Sequence, residues 1–265
     1  MPAEDLVSRV AELGAPFGLE RSVKIAEGEL VDDRCLLSVH RAAFGSDPLA
    51  RLAEMATALD MPTSAMDRIA AALDGADIVH FGHEGGAGCE VRKLYFEYAT
   101  RTRRAMAAGG RDRVLVHLAY KWVRGQSDRV AVTRYSWVPC ATRADVESQL
   151  LSLLPAQVAP RALRSALHLL ARVAPLAERG RLLMMEVEEA GNLRRSCDLN
   201  IYDAALRVGG IFDLIETTTR EFGVPPARAA AVFGCARGKT LGHLSAGIGR
   251  DGEEFVTIYY GVEAH

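Results

Sequence analysis

The chain has 265 residues, 49% of them hydrophobic and 25% charged, with a formal net charge of −2 at pH 7. That composition is ordinary for a folded globular protein, and the near-neutral balance gives no general attraction to nucleic acid or to an anionic membrane. No apolar run reaches the roughly 18 residues of a bilayer span. The opening Met1-Pro2-Ala3-Glu4-Asp5 is acidic with no signal-peptide core, and the five cysteines are dispersed without a CxxC. A cytoplasmic protein with reduced thiols is therefore expected.

Helices and hairpins alternate along the chain. Leu6 to Leu13 is a short amphipathic start. A first hairpin is predicted from Ser22 to His40, turning near Asp32-Asp33. Asp47-Pro48 opens a helix through Leu59, and Thr63 caps a second through Leu73. A second hairpin, Asp77 to Tyr98, turns in the glycine-rich 83–88 stretch. Arg101, Arg103 and Arg104 then make a basic run that reads as a solvated helix or loop. The third hairpin spans Arg113 to Val138 with Arg124-Gly125-Gln126-Ser127-Asp128 at its tip. Thr142 begins a helix with Asp145 at the capping-box position, and Val158 to Ala177 has helical spacing. The fourth hairpin runs from Arg181 to Tyr202 around Ala190-Gly191-Asn192. Ala204 to Phe222 reads as a helix ended by Gly223, and Pro225 starts another to Phe233. The fifth hairpin, Leu241 to Val262, turns at Asp251-Gly252. No linker or composition shift divides the chain, so residues 1–265 are read as a single domain.

Each hairpin carries one short signature, a polar residue and a ring two positions later: Ser38-Val39-His40, Lys93-Leu94-Tyr95, Thr133-Arg134-Tyr135, Asn200-Ile201-Tyr202 and Thr257-Ile258-Tyr259. Strand side chains alternate, so the two residues share a face. The other face is apolar: Leu37 and Val39, Leu94 and Phe96, Val130 and Val132, Leu199 and Ile201, Val256 and Ile258. One face covered by helices and one lined with Lys, Thr, Asn, His and Tyr predicts a closed ten-stranded antiparallel barrel with a polar lumen, an α+β fold, since closure removes the sheet edges.

This pattern resembles the ABBA aromatic prenyltransferases, whose PT barrel has ten antiparallel strands ringed by helices. Arg92-Lys93-Leu94-Tyr95-Phe96 is similar to the family's Lys-x-Tyr strand, and Thr133-x-Tyr135 and Asn200-x-Tyr202 to its later strands. The resemblance implies transfer of a prenyl group from an allylic diphosphate to a small aromatic acceptor, with no required cofactor and Mg possible alongside the diphosphate. It implies binding roles for Lys93, Tyr95, Thr133, Tyr135, Asn200, Tyr202, Thr257 and Tyr259, to which Lys24, Lys121 and His40 are added as further inner-face candidates. Glu97 or Glu84 would hydrogen-bond the acceptor or take its proton. Arg195 matches a phosphate arginine in sequence position, but parity sets it on the face opposite Asn200 and Tyr202.

The alternative is a barrel of the same kind that binds a polar aromatic ligand, a peptide or a metal without diphosphate chemistry, or serves as a subunit of a larger enzyme. A lumen with fewer than about three Lys or Arg would favour it, because an anion of this charge needs several cationic partners. His80, His117 and His243 hold comparable places in three hairpins, and a shared metal site is conceivable. No His-Glu-x-x-His spacing accompanies them, and satisfied core or surface histidines are the simpler expectation. The Gly85-Gly86-Ala87-Gly88 tip lacks the Lys-Ser/Thr pair and following helix of a P-loop.

Overall fold

The computed structural model describes residues 3–86, 89–126, 129–178 and 182–265. Ala87 and Gly88 of the second hairpin tip, Ser127 and Asp128 of the third, and Arg181 lie outside the described residues. Helix α1 (Ala3–Ala11) leads into β1 (Phe17–Ala26), β2 (Glu29–Val31) and β3 (Arg34–His40). Then come α2 (Pro48–Ala58), α3 (Thr63–Leu73), β4 (Ile78–Gly86), β5 (Cys89–Glu97), α4 (Ala99–Ala107), β6 (Val114–Val123) and β7 (Val130–Trp137). Next are α5 (Arg143–Leu153), α6 (Pro160–Arg172), α7 (Ala174–Glu178), β8 (Leu183–Glu189) and β9 (Arg195–Asn200). The chain ends with α8 (Phe212–Glu221), α9 (Pro226–Ala236), β10 (Leu241–Ile248) and β11 (Glu254–Ala264).

Successive strands pair antiparallel from β11 back to β3, and β1 pairs with both β3 and β11. Val23 opposes Ile258 at one seam and Leu19 opposes Leu37 at the other. The sheet is therefore a closed ten-stranded antiparallel barrel, with the three-residue β2 as a short addition beside β1. Its outer face meets the helices in two apolar cores. Leu37, Val39, Leu94 and Phe96 pack with Leu52, Ile69 and Leu73. Leu199, Ile201, Val256 and Ile258 pack with Leu150, Leu169, Leu214 and Phe233. Each such side chain removed from water contributes about 1.5–3 kcal/mol, so the alternation fixes which face turns inward.

Local differences from the predicted elements have physical reasons. The first hairpin starts at Phe17 and turns at Glu27-Gly28, where Gly28 has φ 66°. Asp32-Asp33 interrupts the return strand: pairing shifts by one residue between Lys24↔Val31 and Arg21↔Cys35. Thr63 is the first helical residue rather than a cap, since Pro62 precedes it without a side-chain bond. Thr142 and Asp145 do form the reciprocal capping box. The segment predicted as a helix from Ala204 begins with two short 3-10 turns, and α8 starts only at Phe212. Gly209 and Gly210 disfavour a helix there, and Arg207 bridges to Thr240 instead.

Candidate active site

Register assembles the lumen in rows. Lys93 lies between Gly82 and Lys121, Tyr95 between His80 and Ala119, and Glu97 opposes His117, which opposes Tyr135. Across the barrel, Tyr259 lies between Ser22 and His243, and His243 opposes Asn200. The rings of Tyr95 and Tyr135 stand 5.8 Å apart. Tyr95, Tyr135 and Tyr259 line two cavities at once, so they form a partition between two chambers.

The first chamber, about 210 Å³, is lined by Lys24, Arg34, Lys93, Lys121, Arg194 and Arg250, with Glu84, Asp251 and Thr257. Glu84 is ion-paired with Arg34 and Lys93. Burial alone would raise its carboxyl, but those two cations hold it well below the usual carboxylate range. Arg250 is held by Glu189, which also accepts from Thr133 Oγ1 at 2.6 Å. Against burial, Arg250 and Thr133 hold the Glu189 carboxyl at about 2. Lys121 Nζ donates to the Tyr135 hydroxyl at 3.1 Å and sits 5.7 Å and 5.3 Å from the Tyr95 and Tyr135 ring centres. Lys93 and Lys121 face each other directly across β5 and β6. Burial, then Arg34, lowers the Lys93 amine to about 8 despite Glu84. Burial, then Arg194 and Lys93, takes Lys121 well below its ordinary value. Arg194 Nε has no hydrogen-bond partner. Six Lys and Arg side chains stand against three carboxylates, Glu84, Asp251 and Glu189.

The second chamber, about 430 Å³, is lined by imidazoles, carboxylates and apolar groups. His80 is fixed by Ser38 Oγ on Nδ1 at 2.8 Å and by Glu97 on Nε2 at 2.9 Å. Burial would raise the Glu97 carboxyl, but the His80 hydrogen bond and the His117 ring hold it at about 2. Burial drops His117 to about 4, with Glu97 opposing, so it is neutral at pH 7. One ligand atom from each of His80, Glu97 and His117 lies within 4.8 Å of the others, the group here best suited to hold a divalent metal. On the far wall His243 bonds Asp198 at 2.8 Å and Glu20 at 3.3 Å and stacks on Tyr259 with centroids 3.8 Å apart. Burial opposes its charge, yet Asp198 and Glu20 raise it to about 10. Tyr202 donates its hydroxyl to Glu20.

No protein-family model and no curated protein matches the chain. Solved structures do. PriB bound to product diphosphate superposes with TM-score 0.61 at 18% identity, covering 92% of this chain and 79% of that one. The 5-dimethylallyltryptophan synthase from Streptomyces coelicolor gives 0.60 at 17%, covering 92% and 80%. The 6-dimethylallyltryptophan synthase from Micromonospora olivasterospora, in complex with DMASPP and Trp, gives 0.56 at 14%, covering 92% and 81%. The chain has the PT-barrel fold of the ABBA aromatic prenyltransferases.

Within this PT barrel, Lys24, Lys93, Lys121, Glu84 and Thr257 line the first chamber, and Glu97, Asn200 and Tyr202 the second. Thr133 is buried behind the first chamber on Glu189. His40 joins neither: it is exposed at the end of β3, where its Nδ1 accepts from the Ala42 amide. Arg195 is exposed on the outer side, as parity requires, and its neighbour Arg194 lines the first chamber instead. Arg34, Arg194, Arg250 and Glu20 were not anticipated. Arg34 shares the parity of Ser38, and Glu20 that of Lys24, so strand alternation could have found both. Arg194 and Arg250 stand just outside β9 and β10, where no period marks direction.

Proposed function

We propose that this protein transfers a prenyl group from an allylic diphosphate to a small aromatic acceptor, with the diphosphate in the cationic chamber and the acceptor in the larger one. The observation that carries this reading is the partition: six Lys and Arg on one side of Tyr95, Tyr135 and Tyr259, and a chamber with polar anchors and apolar walls on the other. The cation count exceeds what a barrel without diphosphate chemistry would keep, since opposed lysines such as Lys93 and Lys121 repel each other in the empty state. Dissimilar as they are in sequence, neighbours of the same fold include a PriB ternary complex with L-tryptophan and dimethylallyl thiolodiphosphate, at 20% identity and TM-score 0.59, covering 92% of this chain and 79% of that one.

In this reaction the allylic C–O bond breaks, and its electron pair leaves on pyrophosphate. Lys93, Lys121, Arg34, Arg194 and Arg250 stabilise the departing charge, aimed where it develops. The allyl cation forms beside Tyr95, Tyr135 and Tyr259, whose π faces stabilise positive charge without attacking it as water would. A carbon of the acceptor ring forms the new bond. The resulting arenium then loses its proton to a base of the second chamber. Neutral His117 is suited to this, and ionised Glu97 orients the acceptor through its hydrogen bond. Glu84, locked between Arg34 and Lys93, belongs to the diphosphate side.

Titration calorimetry with dimethylallyl, geranyl and farnesyl thiolodiphosphates tests the reading. Binding of at least one is expected. Folded protein that binds none of them overturns it.

A further inference from the structure

The identity of the acceptor is constrained by charge. Among the described residues, no Lys or Arg lines the larger chamber, while Glu20, Glu97 and Asp198 do. Two of these carboxylates already share His243, whose two nitrogens are both occupied. Asp198 is only 2% exposed, and its Oδ2 accepts from His243 Nδ1 at 2.8 Å, but its Oδ1 has no partner. A buried carboxylate oxygen without a donor is costly, and a charged donor would gain most by meeting it. Around this corner stand Tyr202, Tyr259 and the His243 ring, with Tyr202 6.2 Å from His243. Carboxylates beside aromatic faces are the two elements that recognise an alkylammonium. A carboxylate on the acceptor would find three like charges, and the one cation, His243, has both nitrogens already engaged by Asp198 and Glu20.

We infer that the larger chamber takes an aromatic amine, an acceptor that carries a protonated nitrogen donating to Asp198 Oδ1 and no free carboxylate. This rests on the prenyl-transfer reading and narrows it from small aromatic compounds to arylalkylamines. In that pose the ammonium is held at the Asp198 wall, and the ring extends across the chamber toward Tyr95, Tyr135 and His117, which line the same space.

The test is calorimetry on the intact protein with two ligand sets: tryptamine, indole, L-tryptophan and indole-3-propionate, then tyramine, phenol, L-tyrosine and 3-(4-hydroxyphenyl)propionate. The amine is expected to bind about tenfold or more tighter than the other three members of at least one set, the usual worth of a charge-assisted hydrogen bond. Asp198→Asn is expected to bring that amine to the affinity of its neutral parent. Dimethylallyl thiolodiphosphate, titrated separately, reports on the diphosphate chamber alone and should bind Asp198→Asn unchanged. Equal or tighter binding of the neutral, zwitterionic or anionic members overturns the inference. So does binding of neither amine while the thiolodiphosphate binds, which leaves the diphosphate reading intact. If Asp198→Asn does not fold, the wild-type ligand series decides by itself.

Discussion

Replacing Lys93 by methionine keeps the length of the side chain and removes its charge, and it should separate function from stability. Lys93 is 9% exposed, ion-paired with Glu84 and opposed by Lys121. Its amine falls from the ordinary 10.5 to about 8, so in the empty barrel the charged form is disfavoured by about 3 kcal/mol. The depressed value belongs to the folded state. The penalty is therefore complete below about pH 8 and fades as pH rises toward 10.5, where both folded and unfolded chains are neutral. Lys93→Met relieves that penalty while leaving Glu84 its partner Arg34. The melting temperature at pH 7 should stay level or rise, and any gain should vanish near pH 10. The same change removes a charge-assisted contact to the diphosphate, worth about 1.5–3 kcal/mol, or about 10- to 150-fold in affinity. Differential scanning calorimetry and thiolodiphosphate titration read the two effects. A melting temperature lowered by several degrees with affinity unchanged would refute the reasoning and make Lys93 a structural ion-pair partner.

Thiolodiphosphate affinity should fall about tenfold between pH 7 and pH 9 as the Lys93 amine, at about 8 in the free protein, loses its proton. Titrations at pH 8 in Tris and in Hepes should differ in apparent enthalpy, because the anion draws a proton onto Lys93, about half of it neutral at that pH in the free protein; identical enthalpies after correction for buffer ionisation would show no uptake. Gly242→Ala would set a Cβ 2.6 Å from the Tyr202 ring and 2.7 Å from Glu20 Oε1. A cost of about 1–3 kcal/mol in stability is expected, along with a raised acceptor KM and unchanged thiolodiphosphate affinity. Treatment with EDTA is expected to leave turnover in place, since the first chamber supplies its own cations. Loss of turnover that one divalent ion restores would instead assign a metal to the barrel.

Much of the fold was legible because burial imposes a period. On β5, Leu94 and Phe96 are fully buried in an outer core while Lys93, Tyr95 and Glu97 face the lumen, and a slip of one residue would exchange the two sets. The second, third and fifth hairpins fall within a residue or two of their predicted limits for the same reason. Turn composition was a weaker guide. Asp32-Asp33 has the residues of a turn but forms a one-residue shift in a strand, and the true turn depends on Gly28 at φ 66°. The 204–211 segment has helical neighbours, yet Gly209 packs 3.0 Å from Arg237 Cγ, measured from where its Cβ would stand, and tertiary pairing through Arg207 and Thr240 decides its path.

The site was legible only where a strand carries it. Alternation tells which side of β5 faces inward, but not what stands opposite, because closure brings Glu20 of β1 to His243 of β10 across the intervening β11. Arg194 and Arg250 reach the first chamber from strand ends, where alternation has already lapsed. What the sequence does contain is a conflict. Lys93 and Lys121 each fit an inward position on neighbouring strands, and once the register is known they confront each other at low exposure, which a purely structural sheet has reason to avoid. Local rules that hold along the whole barrel and fail at one pair point to that pair as functional. An anion with room for both amines resolves the failure, and Arg34, Arg194 and Arg250 around the same space would serve the same ligand. Relief of the repulsion between Lys93 and Lys121 is what an anion in this chamber would gain, and the Lys93→Met pair of measurements reads both sides of that balance.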